Sequence, residues 1–199
     1  GFKIAFYFLL GFLFSCGTSK SLRDKPNLEV YNNNIPTQVK LNDYLIIFEN
    51  NFLRKNDSGL WELYVEGDPY QRGLIIGSLS QELVQKQERV FFSKLNEIVP
   101  SKFKQNLLRQ FLKWYNRKLY LNVNEEFKAE IYGISQYTSD DYNYIAPKYL
   151  RSLYLHGAHD IGHALQDLAL VGCSSLAVWG NKTSDGKMLL GRNFDFYAG

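Results

Sequence analysis

The chain has no long run of one charge, no apolar run of bilayer length and almost no cysteine. Its 23 basic and 20 acidic residues are interspersed and leave a formal charge of only +3. No basic tract is therefore long enough to follow a phosphate backbone, which argues against nucleic acid as a partner. The apolar stretch from Ile4 to Phe14 is eleven residues long, too short to cross a bilayer as a helix. Two cysteines, Cys16 and Cys173, allow at most one disulfide, and that bond would tie a polar tail to the core. No internal repeat is visible. What the chain does have is core material: 199 residues that are 45% hydrophobic and 16% aromatic describe a globular protein of one domain, or part of a larger one.

The first sixteen residues read as a targeting segment. Lys3 is a positive n-region, Ile4 to Phe14 is an apolar h-region, and Leu13-Phe14-Ser15-Cys16 follows. This last quartet resembles a bacterial lipoprotein processing site, in which the cysteine is lipidated and becomes the mature N-terminus. The expected protein is thus exported and held at the membrane through a lipid on Cys16. Residues 17–40, rich in Ser, Asn, Lys and Pro, are expected to be a tether. With Cys16 lipidated, Cys173 has no partner, and a free thiol in an exported protein invites a functional explanation.

From Leu41 the composition becomes globular, and residues 41–172 read as mostly helical. Leu60 to Val65 alternates like a strand and stops at Gly67-Asp68-Pro69. Helical periodicity then covers Tyr70 to Ile98, Ser101 to Tyr120, Glu125 to Tyr137 and Pro147 to Leu170. Gly73 and Gly77, one turn apart, suggest that another backbone packs closely there. In the second of these helices Leu107, Leu108, Phe111, Leu112, Tyr115 and Leu119 mark an inward face, with Lys and Arg mostly on a solvated one. The last helix is expected to be interrupted at Gly157 and Gly162. At Gly172 the character changes: Ser174 to Trp179 reads as a strand, Asn181 to Gly186 as a turn, and Lys187 to Phe196 as a returning strand. The chain begins at Gly1 and stops at Gly199 just after that strand, so a piece of a longer precursor is expected.

If Gly180 pairs with Lys187, the same register sets Cys173 opposite Phe194, between Asn193 and Asp195, with Arg192 two residues away. A cation beside a cysteine favours the reactive thiolate, and a carboxylate can hold an adjacent amine by a charge-assisted hydrogen bond.

Here the sequence resembles a family, the penicillin acyltransferase branch of the Ntn hydrolases, related to choloylglycine hydrolases, penicillin V acylases and acid ceramidase. The matching residues are Gly172-Cys173-Ser174-Ser175, the hairpin, and Gly191-Arg192-Asn193-Phe194-Asp195-Phe196. A second match is Gly67-Asp68-Pro69-Tyr70-Gln71-Arg72-Gly73, continuing to Gly77. The resemblance implies an α+β protein with an αββα sandwich, in which residues 173–199 open the catalytic part. It also implies that the Cys173 thiol cleaves its own bond to Gly172, exposing an α-amine that serves as general base for the thiol. Arg192 would then lie against the thiolate and Asp195 would bind the amine, while the family's oxyanion-hole asparagine comes later in the chain. The implied activity is hydrolysis or acyl transfer at a linear amide through a Cys173 thioester, with neither metal nor organic cofactor. Its partners are a small amide or acyl substrate and the chain's own downstream segment after cleavage.

Two rival readings stand beside this one. His156, His159 and His163 recur at spacings of three and four, as the ligands of a zinc site on one helix face would. Against zinc stand the two glycines expected to break that helix and the absence of a His-Glu-x-x-His pattern. Alternatively, 14 Tyr, 14 Phe and 3 Trp could serve a non-catalytic, lipid-anchored protein that binds glycans or a partner, although their helical spacing reads mostly as core.

Overall fold

The computed structural model describes residues 19–164 and 171–196 of the chain, which is mixed α+β. Two units divide it, Gly1–Tyr154 and Leu155–Gly199. The targeting segment and Cys16 lie outside the described residues.

In the first unit, asparagines punctuate a four-stranded antiparallel meander of β1 (Val39–Asn42), β2 (Leu45–Phe48), β3 (Asn51–Lys55) and β4 (Trp61–Tyr64), in that order. Asn42 Oδ1 accepts from the Tyr44 amide at 2.8 Å. The Asn51 side chain accepts from Glu66 N at 2.7 Å and donates to Phe48 O at 3.1 Å. Asn56 Oδ1 accepts from Ser58 N and Leu60 N. Each amide adds side-chain bonds at a turn or strand end, the Asn56 turn being closed by backbone bonds as well. This sheet departs from the expectation of one strand ahead of a helical segment. The stretch expected to be a tether is also occupied: residues 19–23 form a helical turn, Ser21, Pro26 and Pro36 are buried, and β1 begins at Val39.

Every residue of Gly67-Asp68-Pro69-x-x-Arg72-Gly73 has a structural task at the start of helix α1 (Pro69–Leu79). Gly67 takes φ 128°, which suits glycine. Asp68 caps the helix by accepting from Gln71 N at 2.9 Å, a contact worth about 1 kcal/mol, and its other oxygen accepts from Asn32 N at 3.0 Å. Pro69 fills the first turn, where no amide donor is needed. Arg72 donates to Gly67 O at 2.9 Å and through Nε and Nη2 to Glu130 Oε2 at 2.9 and 2.8 Å.

Glu130 belongs to helix α4 (Glu125–Ser135), which crosses α1 with the backbones in contact. A Cβ on Gly73 would fall into the Glu130 carbonyl, and one on Gly133 would meet Leu74 N at 2.6 Å and Tyr70 O at 2.8 Å. The close approach expected at Gly73 and Gly77 is present, with Gly133 as its counterpart. On its other side α1 buries Ile75 and Leu79 against Leu53 of β3.

The helix expected over Tyr70 to Ile98 is divided at Ser80, whose hydroxyl and amide both donate to Ile76 O. Helix α2 (Gln81–Ile98) follows and stops before Pro100, and α3 (Lys102–Tyr115) comes next. Helix α5 (Lys148–Ala164) leaves the first unit and runs into the second. Its Tyr149, Leu150 and Leu153 form a second core with Ile131 of α4 and Ala146.

Between α2 and α5 lies a buried ion pair. Arg151 and Glu88 side chains are 1% and 2% exposed, with Nε to Oε1 at 3.1 Å. Arg151 also donates to Asn143 Oδ1 at 2.9 Å, Ala146 O at 3.0 Å and Ser139 O at 2.6 Å. The second Glu88 oxygen accepts from Ser139 N at 2.8 Å.

In the second unit α5 is continuous through Gly157 and Gly162, which corrects the expected interruptions. The antiparallel hairpin of β5 (Val171–Gly180) and β6 (Gly186–Phe196) completes the described residues.

Two predictions follow from the first unit. Arg151→Met strands a buried carboxylate and is expected to cost about 3–5 kcal/mol in urea unfolding, whereas Arg151→Met with Glu88→Leu recovers most of that loss. On α5, burial pushes the Tyr154 phenol up to about 12, the nearby Ser21 hydroxyl acting against it. Burial, helped by the Asp24 carboxylate, also raises Tyr149. Phenols raised on folding add stability that is complete below their unfolded value of 10.0 and is lost as pH climbs through the folded value. Unfolding curves are expected to weaken between pH 10 and about 12, and Tyr154→Phe should flatten that alkaline limb.

Candidate functional site

The hairpin tip is built by local polar bonds. Gly180 and Gly186 take φ 63° and 73°, and between them the Thr183 hydroxyl donates to Lys187 O at 2.8 Å. Lys187 N donates to Asp185 Oδ1 at 3.1 Å. The expected pairing of Gly180 with Lys187 is not made: Gly180 faces Gly186, after a register irregularity between Val178 and Gly180. An extra residue on β6 absorbs the difference. Below that bulge Val178 faces Leu189, and Cys173 faces Phe194 as the sequence predicts.

From this register the candidate residues can be located. Gly172 lies opposite Asp195, Cys173 opposite Phe194, Ser174 opposite Asn193 and Ser175 opposite Arg192. Directly opposed residues share a face and successive ones alternate. Positions 173, 175, 192 and 194 therefore share one face, with Arg192 diagonal to Cys173, and positions 172, 174, 193 and 195 share the other. Diagonal neighbours are roughly 7–8 Å apart at Cα, within reach of a side chain as long as arginine's. Arg192 itself is exposed. The side chains of Cys173 and Asp195 lie outside the described residues.

One expectation changes. The strand expected from Ser174 begins earlier, at Val171 opposite Phe196, so the ladder runs through the Gly172–Cys173 bond. The thiol position is third in the strand.

Both faces of the hairpin are apolar above the candidate site. Leu176 and Leu189 are exposed on the face of Gly172, and Leu190 on the face of Cys173, with Met188 exposed in the bulge above them. A strand pair with large apolar side chains on both faces has the composition of a sheet's interior rather than of a free-standing ribbon.

His156, His159 and His163 all lie on the uninterrupted α5. His156 is exposed, and the side chains of the other two are outside the described residues. Among the described residues, no group of three or more His, Cys, Asp or Glu is arranged to hold a metal ion. No described helix is long and apolar enough to cross a membrane.

The upstream Gly67 to Gly77 stretch contributes helix capping and helix crossing, and Arg72 is engaged with Glu130. Sequence reasoning passed over Arg151, the most buried of the described cations, because nothing in its neighbourhood marks it. Compared with models of protein families, with curated proteins and with solved structures, the chain finds no match.

The shared face of Cys173 and Arg192 generates a prediction. A guanidinium on that face favours the thiolate, so Arg192→Gln is expected to move the pH midpoint of Cys173 alkylation by iodoacetamide up toward about 8.5, the value of an unassisted thiol. An unchanged midpoint would separate the two residues functionally.

Proposed function

We propose that Cys173 is the nucleophile of a self-processing Ntn-type cysteine hydrolase or acyltransferase that acts on a linear amide. The observation that carries this reading is the hairpin register, which sets Cys173 on one face with Arg192 and sets Asp195 opposite Gly172. In the first step the Cys173 thiol adds to the Gly172 carbonyl and the peptide nitrogen leaves with a proton. Water then hydrolyses the thioester, giving a Gly172 carboxylate and a free Cys173 α-amine. Gly172 puts no side chain in the way of that attack.

The new α-amine, with a reference pKa of about 7.7–8.0, takes the thiol proton, so nucleophile and base belong to one residue. Arg192 stabilises the thiolate, and Asp195, across from the cleaved bond, holds the ammonium form. The thiolate attacks the substrate carbonyl, the amine portion leaves protonated, and water or a second amine accepts the acyl group. The finer architecture in this proposal is an αββα sandwich. It is supported by the apolar side chains on both hairpin faces, since an inner sheet covers one face with helices and the other with a second sheet. Localisation at a membrane through lipidated Cys16 belongs to the same proposal and rests on the sequence pattern alone.

A second reading has an observation of its own. Because α5 is unbroken, positions 156, 159 and 163 fall on one side of a single helix, and neutral imidazoles at such spacing suit Zn²⁺.

Intact mass and N-terminal sequencing of the full-length protein test the first reading. A new N-terminus is expected at Cys173 and should be absent in Cys173→Ala. A single uncleaved chain in both would sink the self-processing mechanism. Bound zinc lost in His159→Ala would then favour the second reading, and an uncleaved, zinc-free chain a non-catalytic binding protein.

A further inference from the structure

Between Ile98 and Asn124 the chain has six basic residues, Lys102, Lys104, Arg109, Lys113, Arg117 and Lys118, and no acidic one. Six positive charges against none make this stretch +6, in a chain whose total is +3. Helix α3 occupies its centre, and its spacing stacks Phe103, Leu107, Phe111 and Tyr115 one turn apart in a continuous stripe. That stripe faces outward: the four residues are 78%, 64%, 52% and 51% exposed.

The opposite side of α3 is held to the body by polar contacts. Gln105 donates to Val99 O at 2.7 Å and Asn96 Oδ1 at 3.0 Å, and Arg109 donates to Tyr144 O at 2.9 Å. This inverts the usual arrangement, in which the apolar stripe of a surface helix turns to the core. The Phe111 ring lies 6.0 Å from both Trp114 and Tyr115, so the stripe ends in an aromatic cluster. Ile98 and Leu121 extend the exposed apolar surface beyond the helix at both ends. A contiguous surface of this kind marks an interaction site.

The charges decide what it meets. Arg109 and Arg117 are already bonded to Tyr144 O and Trp114 O, and the exposed cations are Lys104 beside the stripe, Lys118 just past the end of α3, and Lys102 on the side of Arg109. Lysine is depleted in protein interfaces, but as a compact point charge it suits a surface of mobile phosphates, where no fixed geometry is required. Aromatic and aliphatic side chains beside a lysine, on a helix that carries no carboxylate of its own, form the pattern of a helix lying in the headgroup region.

We propose that α3 docks the protein on an anionic lipid surface, with Phe103, Leu107, Phe111 and Tyr115 entering the boundary between headgroups and acyl chains. Lys104, within the arc of that stripe, meets the phosphates, with Lys118 just past the end of the helix. The proposal requires neither a lipid on Cys16 nor a reactive Cys173.

The full chain carrying Cys16→Ser, which cannot be acylated there, would be sedimented with vesicles of phosphatidylcholine alone or mixed with phosphatidylglycerol. Binding to the mixed vesicles is expected to be at least about tenfold tighter at low salt, and Lys104→Glu/Lys118→Glu should remove that advantage. Phe103→Ser/Phe111→Ser should weaken binding about tenfold or more while leaving the melting temperature unchanged, because both rings are exposed. Equal binding to both vesicle types, no binding to either, or a Phe103→Ser/Phe111→Ser pair that binds like the parent would overturn the proposal. So would capture of an acidic soluble protein by α3 without vesicle binding.

Discussion

A guanidinium taken out of water is costly unless every donor finds an acceptor and the charge finds a counter-ion. Arg151 meets both conditions through a carboxylate, a side-chain amide and two backbone carbonyls, and the first unit is organised around that requirement. Glu88 brings in α2, Ser139 and Ala146 fix the loop that follows α4, and Arg151 holds the start of α5. Once α5 is fixed, Tyr149, Leu150 and Leu153 meet Ile131 on α4. That helix crosses α1 at Gly133 and Gly73, and α1 in turn covers Leu53 of the sheet. The polar node confers little net stability over an apolar substitute of the same shape. What it ties together is one arrangement of α2, the 139–146 loop and α5, in which these polar atoms are satisfied at once.

The Gly67 to Gly77 stretch raises a related point about motifs. Its residues look chosen for chemistry, with an acid, a proline and an arginine between glycines. The structure assigns each a mechanical role: a positive φ, a cap, a first-turn fit, a tie to Glu130 and a backbone crossing. Half of the sequence resemblance therefore concerns how the helices pack, and the proposed chemistry rests on the Gly172 to Asp195 half alone.

Legibility from sequence followed the range of the forces involved. Helices α2, α4 and the hairpin were readable because period and turn residues are local. The bulge past Val178 left the pairing of Cys173 with Phe194 intact, so that register was readable too. Strands β1 to β3 were not: Leu45-Ile46-Ile47-Phe48 is a continuous apolar run without alternation, and its turns rely on asparagine amides rather than on Gly or Pro. The glycines of α5 misled in the other direction, since each costs a helix only about 1 kcal/mol against alanine. In α3 the periodicity was right and the inward face only partly so: Leu107, Phe111 and Tyr115 are exposed, whereas Leu108 is half-buried and Leu119 packs against the second core, because which side of an amphipathic helix turns inward is settled by its neighbours. Arg151 was invisible for the same reason: burial of a cation is a property of the tertiary structure.

The buried Ser21 near the start of the described chain has a geometric consequence. Were Cys16 the point of attachment to a membrane, only four residues and their five Cα steps would separate it from a side chain locked in the first unit. At full extension they span about 17 Å. A tether running to residue 40 would let the body sample a wide hemisphere above the bilayer, whereas a leash this short would keep it within a bilayer's thickness of the surface.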